Sequence, residues 1–196
     1  MPYLEQFTDD QRDLLISLPY RTGLWVSESD EGGGDESAEA EMQALESIIT
    51  GYCEDFLKSE FVEELMHETL ARKNKWEEWH DTLDSVPLEC RQALDVLNER
   101  MEEKEVLSFR QSLMEIATAV AMAYCELEEE EDTAGKFQAY FRYYWGIFMA
   151  RIKKEQAPAV ETHLNISRSE REVLGKLSEV LLVDLNGTPI KEAEAA

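Results

Sequence analysis

Apolar residues along this chain recur at three- and four-residue steps, the spacing of one face of an α-helix, in one segment after another. Met42, Leu45, Ile48, Ile49, Tyr52 and Phe56 form the first sustained stripe and predict a core-facing helix over residues 37–58. Phe61, Leu65 and Leu70 carry a second, and Trp76, Trp79 and Leu83 a short third. In "DSVPLECRQALDVLNERM", Asp84 or Ser85 is placed to cap a helix with Pro87 in its first turn and Leu88, Ala93, Leu94 and Leu97 as its apolar set. The two strongest stripes follow. Val106, Phe109, Leu113, Ile116, Val120, Tyr124 and Leu127 define one, and its alanines permit close approach of a neighbour. Phe137, Tyr140, Phe141, Tyr144, Trp145, Phe148 and Ile152 define the other.

The two ends of the chain are patterned differently. Residues 4–16 mix polar and apolar positions without a clean period, and Ser17 with Pro19 reads as a helix start, which predicts a helix over 19–29. Near the C-terminus, "SRSEREVLGKLSEVLLVDLNG" opens with Ser167 and Glu170 at capping-box spacing. It carries Val173, Leu174, Leu177, Val180 and Leu181, and it stops at Asn186 and Gly187. Only "VLLVDL" offers strand-like character, and it reads better as a helix end. The fold expected is all-α, a compact bundle of about seven or eight helices in a single helical domain over 1–196.

Sliding the chain by 96 residues places Leu24 on Val120, Leu45 on Phe141, Ile48 on Tyr144, Ile49 on Trp145, Tyr52 on Phe148 and Phe56 on Ile152. In both copies a helix meets an acidic bend and returns as a helix with bulky apolar residues, as a duplicated helical hairpin would. The related halves would be 1–85 and 86–185. Amphipathic helices can always be slid until their stripes coincide; the bend recurring in register is what periodicity alone does not require.

Composition changes the picture mainly through charge. With 43 acidic and 19 basic residues among 196, the formal net charge is −24, and such a field repels phosphate backbones and anionic lipid heads while attracting cations and basic protein surfaces. Partners from the protein world, or a second copy of the chain, are therefore expected, with no nucleic acid and no membrane. The 43% apolar content is ample for a core. Cys53, Cys90 and Cys125 form no CxxC pair, and "MPYLEQFTDD" has neither the basic region nor the apolar run of a signal peptide, so a reducing, cytoplasmic setting is expected.

Candidate chemistry is sparse. From Glu28 to Glu46 inclusive there are eight acidic residues and no basic one, interrupted by Gly32, Gly33 and Gly34. Counting from Glu28 puts Asp30 third, Gly33 sixth and Glu39 twelfth in a calcium-loop frame, but the first and fifth positions lack the expected side chains. Counting from Asp30 places Glu41 twelfth and Asp35 where the glycine belongs. A looser divalent-cation site on Asp30, Asp35, Glu39 and Glu41 stands beside the alternative of a solvated bend whose acids favour the next helix N-terminus. Two Glu-His pairs at i,i+3, Glu64 with His67 and Glu77 with His80, have the spacing used in di-metal carboxylate bundles, though acidic neighbours on each side fit an ordinary solvent face. Cys53 and Cys125 sit within apolar helical patterns, where a small inert thiol is the default. Tyr140, Tyr143 and Met149 turn away from the aromatic face of their helix and are candidate interface residues.

A helix entering an acidic, glycine-containing bend, Glu39 or Glu41 at the start of the next apolar helix, and the late "ISRSEREVLGKLSEVL" together resemble the TerB-like helical family, named for tellurite resistance. The resemblance covers 19–52, 116–148 and 166–182. It implies an all-helical protein linked to stress responses, with divalent cations held by acids of the bend, here Asp30, Asp35 and Glu39. The family's usual Asp-Gly pair is replaced by Glu31-Gly32. The function expected is a non-catalytic acidic helical module for protein interaction; a cation-binding or sensing protein is the alternative, and a metal-dependent enzyme using the Glu-His pairs is a third reading.

Overall fold

A computed structural model describes residues 2–29, 45–51, 53, 59–124, 168–185 and 187–190. Among these, six α-helices make an all-α bundle without a β-strand: α1 (Asp9–Ser27), α2 (45–51), α3 (Glu60–Ala71), α4 (Val86–Arg100), α5 (Glu103–Tyr124) and α6 (Arg168–Leu181). A 3₁₀ turn, Tyr3–Gln6, precedes α1. Three more, Lys73–Lys75, Glu78–His80 and Leu83–Ser85, carry the chain from α3 to α4.

The N-terminal expectation requires correction. The first long helix begins not near Pro19 but at Asp9, where Thr8 caps it: Thr8 Oγ1 accepts from the Gln11 amide and Gln11 Oε1 accepts from the Thr8 amide, with Asp9 and Asp10 favouring the positive end of the helix dipole. Pro19 lies inside α1, where it has no N–H to offer the carbonyl four residues back. Packing offsets that loss. Every residue from 15 to 24 is buried, because α3, α4, α5 and α6 all pack against α1. A helix enclosed on all sides has no polar face, so its sequence shows no amphipathic stripe.

The surrounding helices are one-faced, as their sequences predict, except that Leu88, counted in the apolar set of α4, is exposed on its first turn. α3 buries Phe61, Val62, Leu65 and Met66, α4 buries Cys90, Ala93, Leu94 and Leu97, and α6 buries Val173, Leu174, Leu177, Val180 and Leu181. Along α5, Val106, Phe109, Leu113, Ile116, Ala117, Val120 and Ala121 are buried, and α5 makes the most extensive contact with α1. Phe61 is the aromatic centre of one end, with ring centroids 6.1 Å from Tyr3, 6.5 Å from Phe7 and 6.3 Å from Phe109. Elsewhere in the core Gly23 allows three helices to converge: a methyl group there would overlap the Leu45 side chain and lie 3.3 Å from Ile116 Cγ2.

Two further differences are local. The Trp76–Trp79–Leu83 stripe belongs to 3₁₀ turns rather than to a short α-helix, and α6 ends at Leu181 rather than at 186–187. Leu182 adopts a left-handed φ of 54°, after which Val183 pairs with Pro189 in a single antiparallel bridge and Gly187 takes the turn at φ 72°. Gln111 Nε2 donates to the Gly187 carbonyl and ties this turn to α5. Leu24 and Val120, equivalent in the proposed repeat, are both buried; each of the other equivalences has at least one member outside the described residues. No helix among the described residues is long and apolar enough to cross a membrane.

Candidate functional site

The densest polar constellation lies where the C-terminal half of α1 meets residues 76–89. Arg21 is its centre. The guanidinium is buried, and all of its N–H groups have acceptors: Nε reaches Glu89 Oε2 at 3.0 Å, Nη1 reaches the carbonyls of Trp79 at 2.7 Å and Asp81 at 2.9 Å, and Nη2 faces Glu89 Oε1 at 3.1 Å, the Thr82 carbonyl at 3.2 Å and Ser85 Oγ at 3.3 Å. A planar fork of fixed donors suits this arrangement, since one edge grips a carboxylate while the tip collects backbone oxygens. The turn it organises is strained at Thr82, a β-branched residue at φ 58°. Ser85 does not cap α4 as its position predicts; its hydroxyl turns to the Thr82 carbonyl and to Glu89.

Beside Arg21, the Tyr20 ring stacks on Trp76 with centroids 4.3 Å apart and planes 21° from parallel, and it meets Trp79 and His80 at 6.1 and 6.0 Å. The Tyr20 hydroxyl lies 2.9 Å from His80 Nε2, and His80 Nδ1 lies 3.5 Å from Glu28 Oε1. A buried phenol, a half-buried imidazole and an exposed carboxylate thus stand in a row leading from core to solvent. Burial, with a smaller contribution from the Glu28 charge, holds the Tyr20 hydroxyl well above its ordinary pKa, so it is a neutral hydroxyl at physiological pH. Its full burial also prevents it from meeting a substrate in solution.

Cys90, on α4 next to this cluster, is fully buried. Burial pushes its thiol up to about 12; the Thr22 hydroxyl and Arg21 oppose the shift and Glu89 adds to it. Such a thiol is not a nucleophile near neutrality.

The residues singled out from the sequence have varied placements. Asp30, Asp35, Glu39, Glu41, Tyr140, Tyr143, Met149 and Cys125 lie outside the described residues, as does Ser167 of the expected capping box; Glu170, its partner, is buried. Glu64 is directed to the N-terminal turn rather than to His67. Its carboxylate accepts the Tyr3 amide at 2.6 Å and the Leu4 amide at 3.1 Å, while His67 is exposed. Glu77 is exposed, and His80 meets Glu28 rather than its sequence neighbour. Among the described residues, no three His, Cys, Asp or Glu side chains are placed to hold a metal ion together. Arg21 and Glu89 carried no sequence signal: they are 68 positions apart, and a single arginine within "LPYRTGLW" is distinguished only by the apolar residues around it.

Comparison with family models, with curated proteins and with solved structures returns no match.

Proposed function

We propose that this chain is a non-catalytic acidic helical module that binds another protein or a second copy of itself. The observation that carries this reading is the net charge of −24 on a helical body whose buried polar side chains join one element to another. Arg21 and Glu89 lock the 79–85 turns to α1 and α4, Thr69 donates to the Ile16 carbonyl, and Ser59 hydrogen-bonds Glu105. These groups serve the scaffold. The field is left for partners, and it favours basic protein surfaces through faster encounter and steep salt dependence. The TerB-like resemblance supplies a stress-response setting, and Tyr140, Tyr143 and Met149 are the residues assigned to the contact.

Two measurements test this. Sedimentation equilibrium over a wide concentration range reads self-association, and partners identified by crosslinking are purified and titrated against the chain at low and high salt. Saturable binding that weakens as salt rises supports the module; a strict monomer that binds no purified partner overturns it.

A divalent-cation role for Asp30, Asp35, Glu39 and Glu41 is the second reading, favoured by the eight acids from Glu28 to Glu46 inclusive without a basic residue. Calorimetry with Ca²⁺, Mg²⁺ and Mn²⁺ on the chain and on a D30A/D35A/E39A variant decides it: saturable heat lost in the variant supports the role, and no specific heat removes it.

A further inference from the structure

The geometry points to a binding site for a borderline transition-metal ion of the Zn²⁺ class on His80 and Glu28, with Tyr20 as the positioning residue that holds the imidazole. This goes beyond the protein-binding role and does not depend on it. It also differs in ligand chemistry from the acidic bend, since an imidazole nitrogen selects Zn²⁺, Ni²⁺ or Cu²⁺ over the hard cations Ca²⁺ and Mg²⁺.

Three observations carry it. First, His80 Nδ1 and Glu28 Oε1 are 3.5 Å apart. That separation is long for a charge-assisted hydrogen bond, which closes to about 2.7–2.9 Å. It is close to the edge of a tetrahedral shell, about 3.3 Å when both bonds are near 2.05 Å. Second, the pair is reachable, with side chains 36% and 50% exposed, while Tyr20 and Trp76 behind it are buried. Third, the far ring nitrogen is already held: Nε2 lies 2.9 Å from the hydroxyl of Tyr20, whose ring is fixed by stacking on Trp76. Ligating histidines are oriented in this way by a partner on the second nitrogen.

The proton inventory closes without an outside acid or base. Without the ion, either ring nitrogen of His80 can carry the proton of the neutral imidazole, and Nε2 shares a hydrogen bond with the Tyr20 hydroxyl. With the ion on Nδ1, the ring proton resides on Nε2 and is donated to the Tyr20 oxygen, which remains a neutral hydroxyl. Two protein ligands leave the other coordination positions to water, so the site is exchangeable and open rather than a buried structural centre.

The test is a Zn²⁺ titration followed by ¹⁵N imidazole NMR, with quenching of tryptophan emission by Ni²⁺ as a second readout on Trp79 and Trp76. One saturable event per chain that moves a single histidine at Nδ1 is expected, unaffected by H67A and by a large excess of Mg²⁺. H80A and E28Q should each weaken binding at least tenfold. Y20F removes only the hydroxyl and should weaken it by about tenfold, the lower range for loss of an outer-shell partner. E28Q changes an exposed side chain, so its result does not depend on the stability of the core variants. Binding that survives H80A and E28Q, that never saturates, or that Mg²⁺ displaces is binding by acids in general and overturns the site.

Discussion

The Arg21 guanidinium and the Glu89 carboxylate meet side by side, Nε to Oε2 at 3.0 Å and Nη2 to Oε1 at 3.1 Å, with side chains only 7% and 22% exposed. Because the remaining donors hold the carbonyls of Trp79, Asp81 and Thr82, the last two 3₁₀ turns before α4 are folded around a cation. Removing that cation would leave a half-buried carboxylate without its counter-charge and the Trp79 carbonyl without the guanidinium, although the Asp81 and Thr82 carbonyls keep the Thr82 and Ser85 hydroxyls. Arg21→Met should therefore cost about 3–5 kcal/mol, the range for breaking one side of a buried pair. Arg21→Lys should also be destabilising, since an ammonium places its donors at one point instead of along a fork. Urea unfolding reads both, and a loss below about 1 kcal/mol for the methionine variant would mean that the turns hold themselves.

Gly23 is the position in α1 where Leu45 and Ile116 come closest to the backbone. Adding a methyl group would normally help a helix, because glycine costs up to about 1 kcal/mol relative to alanine. Here the contact decides the sign. Gly23→Ala must push Leu45 away or move α2, and overpacking of a core costs about 1–3 kcal/mol. Thermal unfolding should show a lowered midpoint. Gly175 on α6 has nothing within 4 Å of an added methyl, so Gly175→Ala should raise stability and serves as the matched control.

The contrast between these helices also explains what could be read from the sequence. α3, α4, α5 and α6 expose one face and bury another, so Leu65, Leu97, Phe109 and Leu177 fall at helical spacing and announce themselves. α1 does not: with Leu15, Leu18, Tyr20, Arg21 and Leu24 buried on every side, burial leaves no period to detect, and Pro19 reads as a start although it lies mid-helix. The 78–85 turns were equally hidden, because what shapes them is a guanidinium about 60 positions upstream. His80 drew attention for a neighbour at i−3, yet its carboxylate partner is Glu28, which only the fold brings near. Local spacing finds helices; it does not find pairs joined through tertiary packing.

Glu64 fastens the N-terminal turn, accepting the Tyr3 and Leu4 amides with one oxygen each. The turn in turn places Leu4 and Phe7 in the core beside Phe61. Glu64→Ala should free residues 3–7, raising their amide hydrogen exchange towards that of an open chain and costing about 1.5–3 kcal/mol, as for hydrogen bonds to a charged acceptor. Glu64→Gln keeps one acceptor oxygen and should retain part of the protection. If exchange at Leu4 and Phe7 is unchanged in the alanine variant, apolar packing alone secures the segment.

Stability at alkaline pH should depend on Cys90. The native thiol holds its proton up to about pH 12 because burial disfavours the thiolate, whereas an unfolded chain releases it near the ordinary value of 9.0. Between those values the unfolded state binds fewer protons than the native one, so unfolding free energy falls as pH rises, by at most about 1.4 kcal/mol per unit for one such group. Below pH 9 this contribution is complete and flat. Tyr20 adds a decline of the same sign, starting near its ordinary value of 10.0. Other groups also titrate in this range, so the informative quantity is the difference between wild type and Cys90→Ala, read from urea unfolding at several pH values. The alanine variant should lose stability less steeply above pH 9, with the gap widening toward pH 12. Parallel profiles would place the Cys90 thiolate in contact with water, and native Cys90 would then alkylate as readily as in denaturant.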